Sequence, residues 1–185
     1  MERNNLEAIL NKYAKIVVKQ AKANLVSEGK AGALSESITY KLETEANAFL
    51  LDFLMEDYAP FVDEGVQGSN PAGIYKNNPN KTGVQRAPLS KFKYTTKMPP
   101  AKVFDKWSIK KGIAPRIEKG KAGAGQFLPR KSVNFSIAKS IFFQGIYPTY
   151  FFSKPFNSNL VILDEGLLDA FALDVEDAII LGTNN

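Results

Sequence analysis

The sequence predicts an α+β fold: helices packed on a small antiparallel sheet, with a long extended arm between the first and second halves. Three observations predict it. Apolar residues recur at helical spacing near both ends, two short alternating runs sit close together after the first helix, and a long aperiodic stretch rich in Asn, Gly, Pro and Lys follows them. At 185 residues the chain suits one domain, 1–185, carrying 66–125 as a basic insertion or arm.

Leu6, Ile9, Leu10, Tyr13, Val17, Ala21 and Leu25 define the apolar stripe of a five- to six-turn helix, with Lys12, Lys15, Lys19 and Lys22 opposite. Asn4 or Asn5 is suited to cap it, and Gly29 and Gly32 to end it. From Leu34 to Leu42, the alternation of Ile38, Tyr40 and Leu42 with Ser37, Thr39 and Lys41 reads as a strand. Residues 48–55 alternate again through Phe49, Leu51, Phe53 and Met55, so the two runs are expected to form a hairpin. Leu50 and Leu54 give the second run a second apolar face, which places it inside a sheet or under a helix.

Tyr58-Ala59-Pro60-Phe61-Val62-Asp63-Glu64-Gly65 reads as a short helix with Pro60 in its first turn and a glycine stop. Tyr58 and Phe61 are expected to be packed there, and Gly65 to take a conformation costly for other residues. Residues 66–100 lack periodicity and are expected to form an arm, mobile alone and ordered against neighbouring subunits. Val103, Phe104 and Trp107 suggest a short helix before Gly112, and 129–144 a firmer one with Val133, Ile137 and Ile141 inward. Leu160, Leu163, Leu167, Leu168, Phe171, Val175, Ile179 and Ile180 suggest a C-terminal helix with an acidic opposite face, weakened or kinked at Gly166.

Composition narrows the chemistry. The chain contains no Cys and no His, which excludes thiolate or imidazole metal sites, disulfides, Cys nucleophiles and His-based catalysis. No apolar run approaches the roughly 20 residues of a membrane span. The N-terminus lacks the apolar core of a signal peptide, so the expectation is a soluble protein made in a cytoplasm. Asp63-Glu64 is an adjacent acidic pair, but a metal-dependent nuclease needs several convergent carboxylates and no strand arrangement supplies them. Gly29-Lys30-Ala31-Gly32-Ala33 recurs at Gly120-Lys121-Ala122-Gly123-Ala124 without phosphate-loop spacing, and reads as two flexible loops. No cofactor, metal site or catalytic residue is assigned.

Charge is segregated. Residues 1–69 carry a net −4, residues 70–154 a net +15 and residues 155–185 a net −6, within an overall +5. A basic block between acidic ends can neutralise its own termini, pair with another copy, or face a polyanion; individual lysines can also be plain solubilising residues. Lys81, Arg86, Lys91, Lys93 and Lys97 are the loop candidates for an interface or a DNA channel. Aromatic residues crowd 147–156, and neighbouring ones cannot all point inward on one element. Tyr147, Tyr150, Phe151 and Phe152 are therefore candidates for burial by another chain.

The order of these pieces resembles the tail-completion and neck-ring proteins of tailed double-stranded DNA bacteriophages. The resemblance rests on the long first helix, the Gly29-Lys30 loop, Leu34-Ser35-Glu36-Ser37-Ile38, and the turn Tyr58, Ala59, Pro60, Phe61 to Gly65. It continues in Gly145-Ile146-Tyr147-Pro148-Thr149-Tyr150-Phe151-Phe152-Ser153-Lys154-Pro155-Phe156 before a C-terminal helix. It covers about 6–65 and 135–180. Phe61 and Asp63 stand where that family often has Tyr and Glu, and 66–125 has no counterpart. The resemblance implies no catalysis and a virion protein, assembled in the host cytoplasm, in a homo-oligomeric ring of twelve copies or six. The ring would join portal to tail around the DNA channel, in non-specific contact with duplex and away from any membrane. The rival from the residues alone is a cytoplasmic nucleic-acid-binding protein using 70–154.

Overall fold

The computed structural model describes residues 4–45, 48–78 and 83–183. They combine helices with short antiparallel strands, as the α+β reading requires. The chain divides into two compact units, one formed by Met1–Asp63 with Thr149–Asn185 and the other by Glu64–Pro148. Where the sequence suggested one domain with an insertion over 66–125, the structure divides two residues earlier and 23 residues later.

In the first unit, helix α1 (Asn4–Ser27) buries Tyr13, Val17, Ala21 and Leu25, the four-residue rhythm of its apolar stripe. Leu34 and Ile38 pack with Ala21, Leu25, Ala59 and Phe151 into one core cluster. The strand expected from Leu34 begins later. Residues Ala33–Ser37 form a one-turn helix, α2, because the Ser35 hydroxyl accepts the Gly32 N–H and donates to the Gly32 carbonyl, curling the chain. Strands β1 (Thr39–Thr44) and β2 (Phe49–Leu54) then pair antiparallel, Tyr40 opposite Phe53 and Leu42 opposite Leu51. The hairpin is two-stranded, and Leu50 and Leu54 lie exposed on its outer face rather than under further structure.

Helices α3 (Ala59–Asp63), α6 (Ser153–Ser158) and α7 (Leu160–Thr183) complete this unit. Tyr13 and Phe156 meet Phe53 edge-on at 6.2 and 5.9 Å, and Phe152 does so at 5.2 Å. Such edge-to-face contacts add about 0.5–1.5 kcal/mol each beyond area burial. The Tyr13 hydroxyl donates to the Phe156 carbonyl, and burial raises the Tyr13 phenol above its ordinary pKa.

Helix α7 turns a different face inward from the one its leucines suggest. Its inner row is Leu163, Gly166, Ala170 and Asp174, while Leu168 is 76% exposed and Val161, Phe171 and Ile179 are exposed as well. The physical reason is the close packing of α7 on α1. At Gly166 an added Cβ would lie 2.6 Å from the Ile9 Cδ1, so glycine gives Ile9 its room, and α7 runs unbroken past it. Asp174 faces the start of α1 and accepts hydrogen bonds from the backbone N–H groups of Asn5 and Leu6 at 2.9 and 3.0 Å. Asn5 therefore lies inside the helix and donates its side-chain amide to Asp174, rather than capping the helix itself.

In the second unit, β3 (Val66–Gln67) pairs antiparallel with β4 (Gly145–Ile146). Gln67 also exchanges backbone bonds with Phe92 and Tyr94 on its other side. Two 3-10 turns, Pro71–Tyr75 and Ala101–Phe104, lead to α4 (Asp105–Lys110) and α5 (Arg130–Gln144). Helix α5 buries Val133, Asn134 and Ala138; Ile137 and Ile141 are half-buried. Between α4 and α5 the chain doubles back, Ile117 donating to the Gln126 carbonyl and Arg116 stacking 4.8 Å from the Phe127 ring centre.

Candidate interaction surface

The turn at 58–65 buries Ala59 and Asp63 and ends on the left-handed Gly65. Ala59 is fully buried, yet Tyr58 and Phe61 are 46% and 44% exposed, contrary to the expectation that both are packed. In a helix only five residues long, Ala59 and Asp63 occupy the single inward row, so the rings on either side of Pro60 turn outward. Gly65 adopts φ +71°, as expected, and a Cβ there would lie 2.5 Å from the Ile146 carbonyl oxygen and 2.7 Å from the Pro148 nitrogen.

The adjacent carboxylates Asp63 and Glu64 are used separately. Buried Asp63 accepts from the Phe152 N–H at 2.8 Å and the Ser153 N–H at 3.3 Å, which caps α6. Glu64 pairs with Lys91 at 2.8 Å. Their divergence leaves them no shared cation, and among the described residues no group of three or more carboxylates converges.

The Asp63 carbonyl accepts from both the Thr149 and Tyr150 N–H groups. Tyr150 is left-handed, φ +51°, which is uncommon for a residue with a side chain. This bend explains how the aromatic run divides. Tyr147 and Tyr150 face solvent, whereas Phe151 is 0% exposed and Phe152 packs on Phe53 and Phe156. Phe151 and Phe152 are core residues, not interface candidates: the run leaves a single element at Tyr150, so two neighbours can point inward.

The basic candidates divide similarly. Arg86 is committed within its own unit. Its guanidinium donates to Gln144 Oε1 at 2.7 Å and to the Gly145 carbonyl at 3.3 Å, and it lies 5.3 Å from the Tyr147 ring centre. Arg86 is thus a clamp on the end of α5 rather than a loop cation offered outward. Replacing it with alanine is expected to lower the stability of this unit by about 1–2 kcal/mol, read as a shift in the urea midpoint of Trp107 fluorescence. An unchanged midpoint would show the clamp to be idle.

Lys91 and Lys93 are exposed in an extended segment whose alternate residues, Phe92 and Tyr94, are half-buried, and the Lys91 ammonium lies 5.1 Å from the Phe92 ring centre. Tyr94 lies 6.1 Å from Phe142, and burial raises its phenol pKa. Lys97 is exposed three residues beyond the segment. Lys91 is partly neutralised by Glu64, so Lys93 and Lys97 are the more available charges. Lys81 lies outside the described residues.

The stretch read as an arm is stitched to the rest of its unit at several of its described residues. Gln85 pairs with both backbone groups of Gly68, accepting at 2.6 Å and donating at 3.0 Å. The Ser90 hydroxyl donates to the Gly65 carbonyl, and the Arg86 N–H donates to Gln144. Sequence reasoning missed Gln85 and Asp174. A long-range amide clamp leaves no local pattern, but the four-residue spacing Gly166, Ala170, Asp174 is a legible small-residue row.

Two open cavities of about 370 Å³ each lie in the second unit. Lys102, Asp105, Arg130 and Asn134 line one, and Ile74, Tyr75, Lys139 and Phe143 line part of the other. No helix among the described residues is long and apolar enough to cross a membrane. Comparison with family models, curated proteins and solved structures finds no match to this chain.

Proposed function

We propose that the chain is a structural subunit of a homo-oligomeric ring in the head–tail connector of a tailed double-stranded DNA bacteriophage. In this reading it joins portal to tail around the DNA channel and catalyses no reaction. One observation carries it: charge segregates by structural unit. Glu64–Pro148 contains 16 of the 24 basic residues and three of the 19 acidic ones, a net +13, which leaves the other unit a net −8. A closed ring is built from heterologous contacts, where two different surfaces of each copy meet, and opposite charges on those surfaces favour head-to-tail register over like-to-like pairing. The order of sequence motifs supports the same reading.

The test is copy number. Quantitative mass spectrometry of purified particles is expected to give twelve copies per portal ring, with six as the alternative symmetry. A single copy, or a two-fold dimer, would overturn the proposal.

The +13 unit also favours a second reading, binding of nucleic acid through diffuse phosphate contacts. That reading predicts duplex affinity falling steeply with salt, and a smaller salt slope in the Lys93→Glu, Lys97→Glu variant. Weak binding with a flat salt response would exclude it.

A further inference from the structure

We propose that the outer face of α7 docks on the 102–113 segment of a second copy of this chain. The inference rests on the ring reading and names the surfaces that would close it. On α7, Val161, Leu168, Val175 and Ile179 follow steps of seven, seven and four residues, so they align along the helix, with Phe171 beside them. Val175 is half-buried and the other four are exposed. An apolar row this long on a helix surface is a contact surface awaiting a cover. Glu165, Asp169 and Glu176 form a parallel row one step round the helix, and 160–183 contains no basic residue.

The matching surface is short, apolar and basic. Ser108 is the buried residue of α4, so Lys106 and Lys110, two positions to either side of it, mark the outward face. Trp107 and Ile109 flank that face, 45% and 55% exposed, and Val103 precedes them by one turn. Residues 101–113 carry four lysines against one aspartate. On α7 an apolar row thus runs beside carboxylates, and on α4 a pair of lysines runs between Trp107 and Ile109. Carboxylates can therefore meet ammonium groups while the apolar row meets one of these flanks. Because the two surfaces differ, repeated docking propagates from copy to copy instead of stopping at a two-fold pair.

The absence of cysteine makes the test direct. One full-length chain carries Leu168→Cys, another carries Trp107→Cys, and the two are mixed and oxidised. Disulfides between unlike chains are expected to exceed the statistical share several-fold. They should fall to that share when the first chain also carries Glu165→Lys, Asp169→Lys and Glu176→Lys. They should return when the second chain carries Lys106→Glu and Lys110→Glu. Statistical pairing in the unreversed mixture overturns the inference. So does a disulfide that forms only within a doubly substituted chain, or a wild-type chain that stays monomeric at its highest soluble concentration. Retained cross-links but lost duplex binding on reversing Lys106 and Lys110 also overturns it, assigning that face to DNA. Copy number in particles tests the ring separately, so a twelvefold ring lacking this cross-link refutes the surfaces alone.

Discussion

Phe151→Ala is expected to lower the unfolding free energy by about 4 kcal/mol, the usual cost of truncating a fully buried phenylalanine. Phe151 has no exposed surface and packs with Leu25, Leu34, Ile38 and Ala59, so the cavity would open between α1, α2 and α3. Tyr147→Ala, four residues earlier on the exposed side of the bend, should change stability by less than about 1 kcal/mol, largely the lost stacking of Arg86. Urea unfolding followed by far-UV circular dichroism measures both. Were Phe151 an interface residue, its truncation would spare the isolated chain and weaken only assembly, so equal stability of the two variants would refute the placement.

Asp174→Ala is expected to lower stability by about 3 kcal/mol. The carboxylate is 1% exposed and satisfies donors that the first turn of a helix cannot satisfy for itself, the N–H groups of Asn5 and Leu6. Its charge also sits at the positive end of the α1 dipole. Truncation leaves those donors without the acceptor and removes a link between residues 169 positions apart. Asp174→Asn keeps an acceptor but loses the charge, and is expected to fall between wild type and alanine. Hydrogen exchange should show the first turn of α1 opening in the alanine variant while the middle of that helix remains protected. Unchanged protection at Asn5 and Leu6 would count against the cap.

These two residues also show how far the sequence could be read. Local periodicity revealed α1, α5 and the hairpin because each is patterned by its own burial: Tyr13 to Leu25 by fours, and Phe49, Leu51 and Phe53 by twos. The C-terminal helix was legible as a helix, but its buried face was not. The most apolar row suggested the core, whereas close approach to α1 selects small residues and one carboxylate, Gly166, Ala170 and Asp174. The basic stretch resisted reading because Gln85 and Arg86 work through contacts 17 and 58 residues distant, which no window contains. For the aromatic run, adjacency implied conflict. A single left-handed residue, Tyr150, resolves it, and its side chain gives no sign of that conformation.

The hydrogen bond from the Thr149 N–H to the Asp63 carbonyl, 3.0 Å long, joins the two places where the chain leaves and re-enters the first unit. Everything from Glu64 to Pro148 is therefore a closed excursion, and synthesis imposes an order on it. When residue 148 leaves the ribosome, the excursion has all of its own partners, including Arg86 and Gln144. At that moment α1 still lacks Asp174, and Leu25 and Leu34 still lack Phe151. Domains generally fold as units while the chain emerges, so the middle of this chain is complete before its beginning. The apolar stripe of α1 then has only Leu34, Ile38, Ala59 and the hairpin against it, and its cover is completed when Phe151 and α7 follow.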